Sequence, residues 1–159
     1  ISSLFKLYPW EWVLDDEFGR RAVDLLPETM WVEPLWKTLL SNKTILAVLW
    51  EMYPGHPNLL PAYIDEPREL VDYLRKPKLG REGSNITVAV PGYQMETGGV
   101  YGAEGYVYQL FDPLPQFDDM HPCLGAWLVG DESAGLGIRE SPGLITDNIS
   151  AFVPHRIKL

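Results

Sequence analysis

The residues best suited to chemistry lie in one run, Lys76-Pro77-Lys78-Leu79-Gly80-Arg81-Glu82-Gly83-Ser84-Asn85-Ile86. It reads as the end of a strand, a flexible loop and the start of another strand. Two glycines let the backbone turn and bring its N–H groups near a ligand. Successive N–H groups in such a loop form a concave anion site. Lys76 would stand at the strand end as a point charge for phosphate oxygens, and Arg81 could offer a planar fork to the same group. The pattern is not the P-loop, which ends in Gly-Lys-Ser/Thr before a helix. A plain β-turn with solvated charges has the same composition, and such loops are common.

Three other places could join that run. Asn42-Lys43 falls at the start of a predicted helix, where the dipole favours anions and disfavours a cation in the first turn. A lysine there suits a bound anion, or is simply solvated. Arg139 follows Gly135-Leu136-Gly137-Ile138, whose alternation puts Gly137 and Arg139 on one strand face with room for a ligand. It could equally form a cross-strand pair. Gln109-Leu110-Phe111-Asp112 runs into Pro113. A strand stopping there leaves backbone groups that could bond the rim of a base, or merely enters a loop.

His56, His121 and His155 lack metal-ligand spacing, and Cys123 has no cysteine partner, so no metal residue is predicted. Asp15, Asp16, Glu17, Asp118 and Asp119 read as solvated faces. There is no Gly-x-Ser-x-Gly elbow.

The composition bounds the partners. With 159 residues, 46% hydrophobic and 22% charged, the chain is long enough for one cored domain. Its formal net charge of -9 argues against nucleic acid, which needs clustered basic residues. Lys43, Lys76, Lys78, Arg81 and Arg139 meeting in one cleft would instead bind a small polyanion. No apolar stretch reaches the roughly 18 residues of a membrane span. No basic region precedes an apolar run, so no signal peptide is read, and the lone Cys123 fits a reducing, cytoplasmic setting. The chain opens on Ile1-Ser2-Ser3 without Met, which reads as a cut inside a larger protein.

These residues need elements to position them. A helix is predicted from Pro9, with Trp10, Val13, Leu14, Phe18 and Ala22 on its apolar face and Pro27 ending it. Met30 to Val32 is a predicted strand. Ser41 caps a second helix whose face is Ile45, Val48, Leu49 and Met52. A short helix follows at Pro67 to Asp72. Strands are predicted at Tyr73 to Lys76, Ile86 to Val90 and Gly105 to Phe111, then at Cys123 to Val129 and Ala134 to Arg139 around Gly130-Asp131-Glu132-Ser133. Leu144 to Thr146 adds another, and no element is predicted for Phe152 to Leu159. Helices first and antiparallel strands second give an α+β class, with a helical part at 1–72 and a sheet part at 73–159.

The ordered series Phe5-Lys6-Leu7-Tyr8-Pro9-Trp10-Glu11, Glu33-Pro34-Leu35-Trp36, Ser41-Asn42-Lys43, Leu49-Trp50, Pro57-Asn58-Leu59-Leu60, Lys76-Pro77, Gly80-Arg81-Glu82-Gly83-Ser84-Asn85 and Gly137-Ile138-Arg139 resembles the C-terminal part of the glutathionylspermidine synthase family. The Arg81-Glu82-Gly83 form is similar to its shorter bacterial members. The resemblance implies an ATP-grasp fold and an ATP-dependent carboxylate–amine ligase. It implies ATP and Mg2+ as cofactors, with small acid and amine substrates. In that family ATP phosphorylates the acid and the amine displaces phosphate.

By the same resemblance Lys43 and Lys76 hold ATP phosphates, and Arg81 and Arg139 face the transferring phosphoryl group. Gly83, Ser84, Asn85 and Ile86 close over the phosphates. Gln109, Leu110, Phe111 and Asp112 line the adenine, and Leu144, Ile145 and Thr146 lie beside the nucleotide. The family's magnesium ligands and most acid and amine contacts lie upstream, in a part this chain would need as its partner. The isolated chain is therefore expected to be inactive. A second reading keeps the ATP-grasp shape as a non-catalytic binding module, prompted by six Trp and eight Tyr. It predicts exposed apolar patches.

Overall fold

A computed structural model describes residues 1–25 and 27–158, so Leu159 at the end of the unassigned tail lies outside it. The architecture is mixed α and β, with helices packed on largely antiparallel sheets. It opens on a strand rather than a helix: β1 (Ser3–Phe5) pairs in parallel with β2 (Met30–Val32). Between them the predicted single helix is two, α1 (Trp10–Asp15) and α2 (Gly19–Asp24). The break has a local cause. Asp16 is extended and its Oδ1 accepts the Phe18 N–H at 2.9 Å. α2 then passes so close to α1 that a Cβ on Gly19 would collide with the Val13 carbonyl.

After a 3-10 turn at Leu35–Lys37 and α3 (Thr38–Ser41) comes α4 (Thr44–Met52). Ser41 ends α3 and does not cap α4. The cap is the Asn42 side chain, whose Oδ1 accepts the Thr44 N–H at 2.9 Å. Satisfying that first-turn donor is what an N-cap does.

β3 (Ala62–Ile64) leads into the main sheet with β4 (Tyr73–Pro77), β5 (Thr87–Val90), β6 (Tyr93–Glu96) and β7 (Tyr106–Leu110). The order is β3-β7-β4-β5-β6, antiparallel throughout. Residues 67–72 form no helix: Arg68 sits at φ 52, and a single Leu70 N–H to Pro67 carbonyl bond closes one turn. Register places Ala62, Leu74, Lys76, Val88, Val107 and Gln109 on one face. α4 covers that face, joining Ala47 and Leu46 to buried Ala62 and Val107.

A second sheet holds β8 (His121–Val129), β9 (Glu132–Ser141) and β10 (Ala151–Phe152), in order β10-β9-β8. The predicted hairpin at Gly130 is present, with Gly130 at φ 63. Leu144 to Thr146 form no strand. The Ser141 hydroxyl accepts the Gly143 N–H at 3.2 Å, turning the chain out of β9.

Candidate functional site

Lys76 is the anomaly of the main sheet. Strand alternation puts it on the face that α4 covers, so its ammonium is largely removed from water. Its Nζ donates to Gln109 Oε1 at 2.6 Å, a neutral partner on the neighbouring strand. Burial, and then the charge of Lys43, push its pKa down from 10.5 to about 8.

Lys43 stands immediately before α4. Its backbone N–H donates to the Lys78 carbonyl at 2.8 Å, tying the start of α4 to the end of β4. Its Nζ donates to the Gly80 carbonyl at 2.6 Å. Burial lowers its pKa and the Arg81 charge lowers it further, while Glu104 and Glu11 work in the opposite direction. Neither lysine forms an ion pair among the described residues. Two partly buried ammoniums without a carboxylate partner are unfavourable unless an anion joins them. A bound polyphosphate fits that need. Lys78 does not belong to this set, because Asp65 pairs with it at 2.9 Å.

The loop from Gly80 to Ile86 is held by its neighbours. Glu82, Gly83 and Asn85 all have positive φ, at 54, 73 and 52. Asn85 Oδ1 accepts the Tyr101 N–H at 2.8 Å. Thr97 Oγ1 accepts the Ile86 N–H at 2.9 Å and donates to the Gly83 carbonyl at 2.5 Å. The Ser84 N–H bonds the Arg81 carbonyl and the Asn85 N–H bonds the Gly98 carbonyl. The amides of Ser84, Asn85 and Ile86 are thus used inside the protein rather than turned out as an anion cradle. Gly83 carries a second constraint: a Cβ there would lie 2.8 Å from Ile145 Cγ2 and 2.9 Å from the Thr146 carbonyl. Two segments far apart in the chain, the 80–86 loop and Leu144–Thr146, therefore touch at Gly83.

Arg81 projects from this loop, and its Nε and Nη2 both donate to Glu11 Oε1, at 2.9 and 2.6 Å. Two open recesses meet at Arg81. One, of about 470 Å³, is lined by Leu40, Ser41, Gly80 and Glu82, and the other by residues of β1, β2 and the Pro9 turn.

Arg139 lies elsewhere. It sits on β9 opposite Cys123 and Phe152, with its guanidinium 5.2 Å from the Phe152 ring centroid. Its Nη2 donates to the carbonyls of Asp147 and Ser150, and its Nε is buried without a partner. It clasps the 147–150 turn, whose Asp147 carboxylate accepts from the Ile149 and Ser150 amides and the Ser150 hydroxyl. The Ser150 hydroxyl, foremost, holds the Asp147 pKa below its ordinary value. No hydrogen bond or ion pair among the described residues joins Arg139 to Lys43, Lys76 or Arg81.

Of the two readings of Gln109 to Asp112, the open edge is not present. β7 lies between β3 and β4, and the Leu110 and Phe111 amides donate to the carbonyls of Pro61 and Asp72. Inserting β3 beside β7, which the proline-rich run concealed, removed the free edge. Glu11, Thr97 and Glu104 shape the site and were not expected. Each acts through tertiary contacts that no local pattern announces. Among the described residues no group of three or more His, Cys, Asp or Glu could hold a metal ion. No described helix is long and apolar enough to cross a membrane.

Two partly buried lysines without carboxylate partners, beside a glycine loop and a forked arginine, suit a protein that handles phosphate-bearing molecules. The chain belongs to the glutathionylspermidine synthase preATP-grasp family, which it matches over residues 1–158. It is 46% identical to a putative acid–amine ligase of Haemophilus influenzae, over 98% of this chain and 42% of that protein. It is 32% identical to a trypanothione synthetase of Crithidia fasciculata, over 100% of this chain and 28% of that protein. A bifunctional glutathionylspermidine synthetase/amidase of Escherichia coli is also 32% identical, over 97% of this chain and 29% of its own length. The chain thus spans less than half the length of these curated relatives.

Proposed function

We propose that this chain is the nucleotide-holding part of an ATP-dependent carboxylate–amine ligase. The observation that carries the reading is the pair Lys43 and Lys76, partly buried and without a carboxylate partner. ATP supplies the phosphoryl group that activates an acid toward an amine. Lys43 and Lys76 would hold its phosphate oxygens, and phosphate charge would restore the protonation that burial opposes. Arg81 would lie against the transferring group, whose charge spreads over its equatorial oxygens. Gly83 to Ile86 and Leu144 to Thr146 would flank the nucleotide, Gln109 would orient Lys76, and residues 73–159 would form the clamp. Arg139 would reach the phosphoryl group from the second sheet. No magnesium ligand is assigned within the chain.

Titration calorimetry with MgATP on the intact protein tests this reading, and a folded protein that gives no binding heat overturns it. Arg139→Ala in the intact protein should lower turnover at least tenfold more than MgATP affinity, since loss of one transition-state donor costs about 10²–10³ in rate. Unchanged turnover would remove Arg139 from the site and leave it the clasp it forms here.

A second reading, a binding module, draws on the exposed Leu124, Trp127, Leu128 and Val129 of the β8–β9 hairpin. The paired lysines favour the ligase, because a scaffold has no use for two partly buried ammoniums that form no ion pair among the described residues.

A further inference from the structure

Glu11 lies 70 residues before Arg81 and belongs to no loop that flanks the lysines. Its side chain is only 9% exposed, and its Oε2 is buried without a hydrogen-bond partner. A bare buried carboxylate oxygen is costly, so stability alone does not account for a glutamate here. Its platform is firm. The neighbouring Trp10 is buried at 2% exposure, packs against Trp31 in a tilted pair with ring centroids 5.0 Å apart and donates its indole N–H to the Glu33 carbonyl at 3.2 Å. α1 is thereby anchored to β2.

The contact with Arg81 uses one edge of the guanidinium. Nε and Nη2 both turn to Glu11 Oε1. A guanidinium has five N–H donors in a fixed plane, so the end edge, Nη1 and the second Nη2 proton, stays available. The Arg81 side chain remains 41% exposed, and both recesses open onto it. One carboxylate can therefore brace Arg81 from the side while a tetrahedral or planar oxyanion bonds its end. No exchange of partners is needed. A free arginine side chain has many rotamers to lose on binding, and a braced one has few.

We propose that Glu11 is a positioning residue for Arg81, presenting its end edge to the transferring phosphoryl group from the anchored helix α1. This rests on the nucleotide reading above. It extends the site to the N-terminal helix, which the residue chemistry of the loop alone does not reach. The Glu11 charge also lies near Lys43, where it offsets part of the effect of Arg81.

The test uses the intact protein and two probes, MgATP as ground state and MgADP with fluoroaluminate as a mimic of the phosphoryl group in flight. Affinities are read by calorimetry, so no acid or amine need be known. Glu11→Gln keeps the shape and an acceptor oxygen but removes the charge. It should weaken fluoroaluminate complex formation at least tenfold while MgATP affinity changes less than threefold. Glu11→Asp, which draws the carboxylate back by one methylene, should show the same split. In the double variant with Arg81→Lys, Glu11→Gln should add little beyond Arg81→Lys alone, since it acts through that residue.

Full additivity, equal loss for both probes, or a gain in fluoroaluminate affinity would overturn the proposal. So would loss of folding by both Glu11 variants, which would make Glu11 a folding residue. If Arg81→Lys itself changes nothing, the role of Arg81 fails. If the wild type binds neither probe, the nucleotide reading fails with everything built on it. If Arg81→Lys is impaired and Glu11→Gln matches the wild type, only the role of Glu11 fails.

Discussion

Replacing Lys76 by Met separates the stability of this fold from its chemistry. Holding the ammonium at a pKa of about 8 instead of 10.5 corresponds to ~3 kcal/mol against the charged folded state. The sign follows from the proton count. Below about pH 8 the lysine is charged in both folded and unfolded chains, and the full penalty stands. Between about 8 and 10.5 the unfolded chain holds more protons, so stability rises with pH. Above 10.5 the penalty is gone. Met removes the charge at every pH but leaves Gln109 Oε1 without its donor, at a cost of about 1–3 kcal/mol.

The Met variant should therefore be at least as stable as the wild type at pH 7, by up to ~2 kcal/mol as the difference of those two figures. The wild type should gain on it by up to ~3 kcal/mol as pH rises through the window from about 8 to 10.5. Urea unfolding of both proteins at several pH values measures the gap, and titrating groups not coupled to Lys76, as Lys43 is, cancel in the difference. MgATP affinity should fall at least about 30-fold in the variant, as expected on truncating one partner of a buried charged contact. A stability gap that does not move with pH, or a variant clearly less stable at pH 7, would refute the premise that Lys76 is desolvated without a charged partner.

Gly83→Ala should disrupt the loop, because φ 73 and contacts of 2.8 and 2.9 Å to Ile145 and Thr146 both exclude a Cβ. Faster amide exchange confined to residues 80–86 and 143–147, with weakened MgATP binding, is the expected readout. Thr97→Val should destabilise by about 1–3 kcal/mol, since it leaves the Ile86 N–H and the Gly83 carbonyl without their shared partner; thermal unfolding checks it. Arg139→Gln should loosen the 147–150 turn, seen as earlier proteolytic cleavage there, because the carbonyls of Asp147 and Ser150 lose their donor.

Much of the fold was legible where local patterns dominate. The β8–β9 hairpin follows from strand alternation around Gly130, and β4 from Tyr73 onward keeps its predicted bounds to within a residue. The expectations that the structure overturns share a cause. The helix over Trp10 to Ala22 had the right apolar spacing, but the Asp16 side chain competes for the backbone and splits it. Ser41 and Asn42 are both good caps, and only the path of the chain out of α3 decides between them. β1, β3, β6 and β10 are two to four residues long and were not predicted. Strands that short take their stability from partners elsewhere in the chain, so they carry little signal of their own.

The chain by itself determined which residues could hold phosphate and in what order they fall. Residue type fixes charge and hydrogen-bonding capacity, and Lys43, Lys76, Gly83 and Arg81 stand in motifs whose spacing is local. The burial of Lys76 was not read from the sequence, which placed it only at a strand end; it follows from the register of β4 between β5 and β7 and from the packing of α4 on that face. Tertiary structure alone decided that Lys43 reaches the Gly80 carbonyl, that Gly83 abuts Ile145 and Thr146, that the Gln109 edge is covered, and that Glu11 braces Arg81. Those contacts join residues tens of positions apart, and chain closure over such distances is set by the packing of whole elements rather than by any short-range preference.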